Sequence, residues 1–168
     1  MNPFHLVLFM FVLLQRLVEL VIAKRNEKLM KRRGAIEIGQ AHYKWFILVH
    51  SLFFICLFGE WLYYQPLAHV NGWLFIIFIV LQIGRLWCLI SLGRYWNTKI
   101  IYLPGARMIK KGPYKYMKHP NYLIVGLELF ILPLLFQAYM CAIIFPLLHV
   151  LLLRVRIPIE NKALLELK

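Results

Sequence analysis

The chain has 168 residues, 62% of them hydrophobic and 16% charged, with a formal net charge of +13. So much apolar sequence with so few charges excludes an ordinary soluble domain and a disordered chain, and indicates a membrane protein. The basic excess would suit nucleic acid, but it falls between the apolar runs, where it reports topology instead.

A helix needs about 20 mostly apolar residues to cross a bilayer. Residues 3–23 form the first such run and end at Lys24 and Arg25. The run lacks a basic leader segment and a small-residue cleavage site, so it is expected to stay as an anchor. Residues 45–64 and 72–91 are the second and third spans, followed by a long loop, 92–121. The run 122–153 is too long for one ordinary span. Gln137 divides it into 122–136 and 138–153, two short spans of roughly 16 residues in a tight hairpin. Residues 154–168 close the chain as a tail. The expectation is an all-α integral membrane protein, one domain with five transmembrane helices.

Lys24, Arg25, Lys28, Lys31, Arg32, Arg33 and Lys44 lie between the first two spans. Arg94, Lys99, Arg107, Lys110, Lys111, Lys115 and Lys118 lie between the third and fourth, and Arg154, Arg156, Lys162 and Lys168 in the tail. The connections at 65–71 and at Gln137 carry no lysine or arginine. Positive loops stay in the cytoplasm, so the N-terminus is placed outside and the C-terminus inside. The same charges attract anionic lipid headgroups. Cys56, Cys88 and Cys141 all sit in apolar runs without CxxC spacing, which suits small packing residues rather than a disulfide or zinc site. There is no aspartate and no GxGxxG loop.

Arg16, Glu19, His50, Arg85, Glu128 and His149 fall at one depth of the spans, in a layer roughly 6 to 10 Å inside the cytoplasmic surface. His5 and Glu60 are alone in the outer half. Ionisable groups in lipid cost a few kcal/mol each unless they meet one another or a wet cavity. Two readings follow: pairing and snorkelling, or a polar pocket opening to the cytosol. Glu128 is placed either to line a substrate or to pair with Arg85. His50 and His149 could also be axial ligands of a haem in an electron carrier, and a noncatalytic scaffold is a further class. Tyr43, Trp45, Tyr95, Trp96 and Tyr102 flank the spans and read as interfacial aromatics.

In the loop 92–121, residues 99–103 have extended character, and Pro104-Gly105 and Gly112-Pro113 mark turns. In Lys118-His119-Pro120-Asn121-Tyr122, proline suits the first helical position, so His119 caps the fourth span. The free N–H groups of that first turn can receive an anion. At ARMIKKGPYKYMKHPNY and, near the C-terminus, RIPIE (Arg156 to Glu160), the chain resembles the isoprenylcysteine carboxyl methyltransferase family. That pattern runs through Gly-x-Tyr to Arg-His-Pro-x-Tyr and closes on Arg followed four residues later by Glu. The resemblance extends from about residue 92 to the end. Lys118 stands where the family has arginine, and Asn161 where many members carry a second glutamate. The stretch QRLVELVIAKRNEKLMKRRGAIEIGQAHY is similar to a bacterial branch associated with type III polyketide synthases, whose members methylate alkylpyrones.

The resemblance implies a membrane-embedded O-methyltransferase of the bacterial cytoplasmic membrane. Its methyl donor would be S-adenosyl-L-methionine, leaving as S-adenosyl-L-homocysteine. Arg107, Met108, Ile109, Tyr114, His119, Pro120, Asn121, Tyr122 and Glu160 would contact the donor, and Arg156 would hold the reacting oxygen of a lipophilic acceptor. No metal is implied. The acceptor is expected to be an alkylpyrone, with a prenylcysteine carboxylate as the alternative.

Overall fold

A computed structural model of the chain describes residues 3–64 and 71–165. Five helices carry the architecture: α1 (Pro3–Lys31), α2 (Gln40–Tyr64), α3 (Gly72–Leu92), α4 (Pro120–Leu135) and α5 (Tyr139–Leu165). Two short strands, β1 (Ile36–Ile38) and β2 (Ile100–Tyr102), pair antiparallel with Ile36 opposite Tyr102 and Ile38 opposite Ile100. Four helices (α1, α2, α3 and α5) are long and apolar enough to cross a membrane, and α4 is a shorter apolar helix of 16 residues.

The helices are apolar on both their inner and outer faces, as befits segments solvated by lipid. Leu57, Phe78, Leu132, Phe136 and Phe145 are buried at the centre, while Val7, Val21, Ile55, Ile83 and Leu147 point outward and are exposed.

Several helices outrun the apolar windows that announce them. α1 continues past residue 23 to Lys31, α2 begins at Gln40, and the segment expected as a tail from 154 is the continuation of α5 to Leu165. Hydropathy marks only the part of a helix suited to lipid. Lys24, Arg25, Glu27 and Lys28 are good helix formers, and the extensions bury Met30 and Ala163. Among the described residues the chain is also not purely helical, because β1 lay unrecognised in the first loop.

Sequence turn signals have clear counterparts. At Leu103-Pro104-Gly105-Ala106, Gly105 takes φ 76° and Ala106 N–H donates to the Leu103 carbonyl at 3.1 Å; a positive φ at the third residue is what a type II turn demands. Gly112 has φ 54°, and a Cβ there would lie 2.2 Å from Ser91 Oγ, so only glycine lets this loop rest against α3. Gln137, with φ 55°, closes the α4–α5 hairpin, and Ala138 N–H reaches back to the Pro133 carbonyl at 2.9 Å. On the same side, Glu60 of α2 accepts from the free N–H groups of Met140 and Cys141 at 2.9 and 3.0 Å, satisfying donors that a helix start leaves unpaired.

The polar layer resolves into a closed cluster. Arg16 reaches Glu19 at 3.1 Å and Glu128 at 2.6 Å. Arg85 donates from Nε to Glu19 at 2.6 Å and from Nη1 to Glu128 at 3.0 Å. Gln15 and Gln82 donate to Glu19 and Glu128 at 3.2 and 2.8 Å. Glu128 therefore pairs with Arg85 and Arg16, and four charges of balanced sign tie α1 to α3 and α4. Of the two readings open from the sequence, pairing holds for these four side chains, and the polar pocket at this depth does not. Mutual neutralisation is the cheaper arrangement in lipid, since isolated charges would have to draw in water. The histidines stand apart. His50 donates from Nδ1 to the Phe46 carbonyl at 2.8 Å, His149 from Nε2 to the Tyr122 carbonyl at 3.1 Å, and their rings meet edge to face at 6.1 Å.

Outside the apolar layer, Lys99 bridges Glu27 at 2.8 Å and Glu37 at 3.2 Å, and Lys31 joins the same two carboxylates. Burial works against ionisation of Glu37, but hydrogen bonds from Lys31 and Lys99 outweigh it and hold its carboxyl below the ordinary value of 4.5. A depressed folded pKa contributes stability in full above the unfolded value and loses it as pH falls through the folded one. Amide protection at β1 and β2, followed by hydrogen exchange at matched intrinsic rate, should therefore hold at neutral pH and decline below pH 4.5. Replacing Glu37 by glutamine should flatten that dependence.

Candidate functional site

The loop between α3 and α4 folds over the charge-rich end of the bundle and, with the last turns of α5, forms a cavity of about 520 Å³. That is within the range of roughly 300–1,000 Å³ typical of small-molecule pockets. Arg107, Met108, Ile109, Tyr114, His119, Asn121, Tyr122, Arg156 and Glu160 all line it. Pro120 does not: it is buried at the first position of α4, where its missing N–H costs nothing. His119 occupies the capping position without a side-chain cap bond, and its ring is turned to the cavity instead.

Two helical periodicities converge here. His119 and Tyr122, three apart at the start of α4, stack at 5.3 Å with an interplanar angle of 12°. Arg156 and Glu160, four apart on α5, share a face. Across the helices, Tyr122 donates its hydroxyl hydrogen to Glu160 Oε2. The same hydroxyl accepts from Arg156 Nε at 2.6 Å, and Arg156 Nη2 donates to the Thr98 carbonyl at 2.6 Å. Arg156 Nη1 has no hydrogen-bond partner among the described residues. His119 Nε2 donates to Asn161 Oδ1 at 3.0 Å, and its Nδ1 lies 3.7 Å from Glu160 Oε1. Asn161, the departure from the usual glutamate, thus fixes the His119 ring.

Asn121 Oδ1 is buried on the cavity wall without a hydrogen-bond partner among the described residues, an acceptor that calls for a donor. Burial pushes the Tyr114 phenol up, with Cys88 and Glu160 adding to the shift, so it stays a neutral hydroxyl. Among the described residues the cavity lining offers one carboxylate, Glu160, against six cationic side chains, Lys99, Arg107, Lys110, Lys115, Lys118 and Arg156, the last with an unused edge, together with neutral polar groups and aromatic faces. That set suits a ligand carrying both charges and a flat ring system.

Three contributors were missed. Thr98 supplies its carbonyl to Arg156, Phe46 puts its ring 4.8 Å from the Arg156 guanidinium, and Tyr43 bonds Thr98 Oγ1 from its hydroxyl at 3.0 Å. Tyr43 had read as an interfacial aromatic. The usable signal was Ile36-Glu37-Ile38 between Gly34 and Gly39, a period-two run bounded by turn residues, which brings α2 to the cavity by pairing with β2.

An uncharacterized protein, YpbQ, of Bacillus subtilis (strain 168) is 47% identical over 161 residues, 95% of each chain. An uncharacterized protein of Haemophilus influenzae is 28% identical over 95% of this chain and 94% of its own. No solved structure matches significantly. The model of the isoprenylcysteine carboxyl methyltransferase (ICMT) family matches residues 73–166, which include α3 but for its first residue, the whole cavity loop, α4 and α5. With more than half its length matched, and every one of the ten residues singled out above inside that match, the chain belongs to the ICMT family of membrane methyltransferases.

Proposed function

We propose that the protein transfers a methyl group from S-adenosylmethionine to an anionic oxygen on a lipophilic acceptor, at the boundary between the cytosol and the inner leaflet. In this reading the chain crosses the membrane five times, with its N-terminus outside and the cavity facing the cytosol. The observation that carries it is the Glu160–Tyr122–Arg156 chain, which joins a carboxylate to a guanidinium with an unused edge inside one cavity.

The donor set fits such a cofactor. Glu160 and the His119–Tyr122 stack provide a carboxylate and aromatic faces attractive to cationic groups, and the orphaned Asn121 Oδ1 offers an acceptor for an amino group. The N–H groups at the start of α4 suit a carboxylate. When bound, the cofactor supplies an activated methyl group and leaves as S-adenosylhomocysteine. The protein's part is alignment and exclusion of water. Tyr122 and Thr98 hold Arg156 by Nε and Nη2, so that Nη1 is directed by two anchored bonds and meets the acceptor's negative oxygen. An oxygen already ionised near neutral pH needs no strong base. The acceptor we favour is an alkylpyrone, delivered by a type III polyketide synthase, on the similarity of residues 15–43 to that branch; a prenylcysteine carboxylate has the same anionic, oily character.

Two measurements test this. Calorimetric titration of the detergent-purified protein with S-adenosylhomocysteine should show affinity falling about 10- to 150-fold in Glu160→Gln, the loss of one charge-assisted bond, and comparably in His119→Ala. Unchanged affinity in both sinks the assignment. Incubation with labelled S-adenosylmethionine should then label an alkylpyrone; label confined to prenylcysteine would move the acceptor, and label in neither would remove the reaction.

A further inference from the structure

We infer that Phe46 and Tyr43, both outside the segment that matches the family, are positioning residues that set Arg156 for its acceptor. The inference rests on the reading that Arg156 holds the acceptor oxygen.

The Arg156 side chain is buried, with 5% of its surface exposed, so its direction depends on what touches it. Its two anchored nitrogens go to Tyr122 and to the Thr98 carbonyl. Thr98 lies in an irregular stretch between α3 and β2 with no ladder of its own to fix it, and the N-terminal third of the chain supplies the fixing. Asn26 of α1 donates to the Gly93 and Trp96 carbonyls at 3.0 and 2.8 Å, and Asn97 donates to the Ala23 carbonyl at 3.3 Å. Tyr43 holds Thr98 directly through its side chain at 3.0 Å, and Lys99 rests over the Tyr43 ring at 5.7 Å.

Phe46 acts on Arg156 itself. Its ring centroid is 4.8 Å from the guanidinium carbon, closer than the Tyr122 ring at 5.6 Å. The bonds from Nε and Nη2 fix the guanidinium within its plane but leave the tilt of that plane about the line between them, and an aromatic ring at 4.8 Å favours the tilt that turns the cation's flat face toward it. Phe46 is in turn placed by its helix start. Gly39, at φ 69°, precedes α2, and a Cβ there would lie 2.2 Å from the His42 ring and 3.3 Å from Ile159 of α5. The positive φ favours glycine at this entry to α2, and the missing side chain leaves room for the His42 ring and for Ile159, one turn beyond Arg156.

The consequence is a division of labour. The matched segment carries the donor contacts and Arg156, while the preceding segment sets how Arg156 presents its unused edge, and so how well an acceptor is held. Phe46→Leu should raise the acceptor KM by about 5- to 30-fold, and Tyr43→Phe by about 3- to 10-fold. In both, S-adenosylhomocysteine affinity and melting temperature should stay near wild type, and Phe46→Trp, which keeps an aromatic face, should restore KM. A second measurement needs no turnover. In nitrogen-15-labelled protein in micelles, the Arg156 Nε–H signal, identified by its loss in Arg156→Lys, should move in Phe46→Leu and in Tyr43→Phe and return toward its wild-type position in Phe46→Trp. An unmoved signal in both Phe46→Leu and Tyr43→Phe, or KM rising only in step with lost donor affinity and lost stability, overturns the inference. If wild type labels no acceptor, the proposed reaction fails, and the nitrogen-15 signal alone decides whether Phe46 and Tyr43 set Arg156.

Discussion

Arg85→Met should lower the stability of the folded bundle by about 3–5 kcal/mol, the range for breaking a buried ion pair and leaving its partner unmatched. Arg85 touches both Glu19 and Glu128 and is buried between α1, α3 and α4. Without it, Arg16 alone faces two carboxylates at a depth where water is scarce, and one negative charge is left over. Chemical denaturation in detergent, followed by far-ultraviolet circular dichroism, measures the loss. Adding Glu128→Gln should return much of it, because the remaining Arg16 and Glu19 then balance. A loss below about 1 kcal/mol would mean that the four side chains are well hydrated and the cluster ties nothing together.

Arg156→Lys should reduce kcat/KM for the acceptor by about 10²- to 10³-fold, the usual consequence of removing one aimed donor from a developing or resident oxyanion. Charge is conserved in this substitution, so the effect isolates geometry. A lysine ammonium cannot serve Tyr122, the Thr98 carbonyl and an acceptor in the planar spread that the guanidinium uses. Donor affinity should change far less, since Glu160 and His119 remain. Activity retained within a few-fold would place Arg156 in structure rather than in acceptor binding.

The parts of this fold that follow from local rules were legible. Gly105 and Gly112 turn the chain where their dipeptides said they would, Pro120 opens α4, and Gln137 folds α4 back on α5. The cavity-lining residues from Arg107 to Glu160 were found through a family pattern rather than through composition, because nothing in one sequence says that His119 and Glu160, forty-one positions apart, face each other. What escaped depended on contacts at long range. The depth of Arg16, Glu19, Arg85 and Glu128 could be counted, but whether they line a space or fill it depends on helix rotation, which these uniformly apolar faces do not encode. Tyr43 looked like any aromatic near a membrane surface and Phe46 like one more apolar residue of the second span, and only the packing of α2 on α5, with β1 paired to β2, brings them to Thr98 and Arg156.

The unequal lengths of the last two helices, 16 and 27 residues, turn α5 into a measuring rod. At 1.5 Å per residue it climbs at most about 26 Å from Tyr139 to Arg156, with Pro146 inside the climb, close to the roughly 30 Å of a bilayer's hydrocarbon layer. If the hairpin bend is anchored at one surface, the guanidinium surfaces at the other, where oily tails give way to headgroups. In the proposed reading, lipids with shorter or longer acyl chains would lift or sink that group relative to the water line, and activity would respond to membrane thickness without any dedicated sensor.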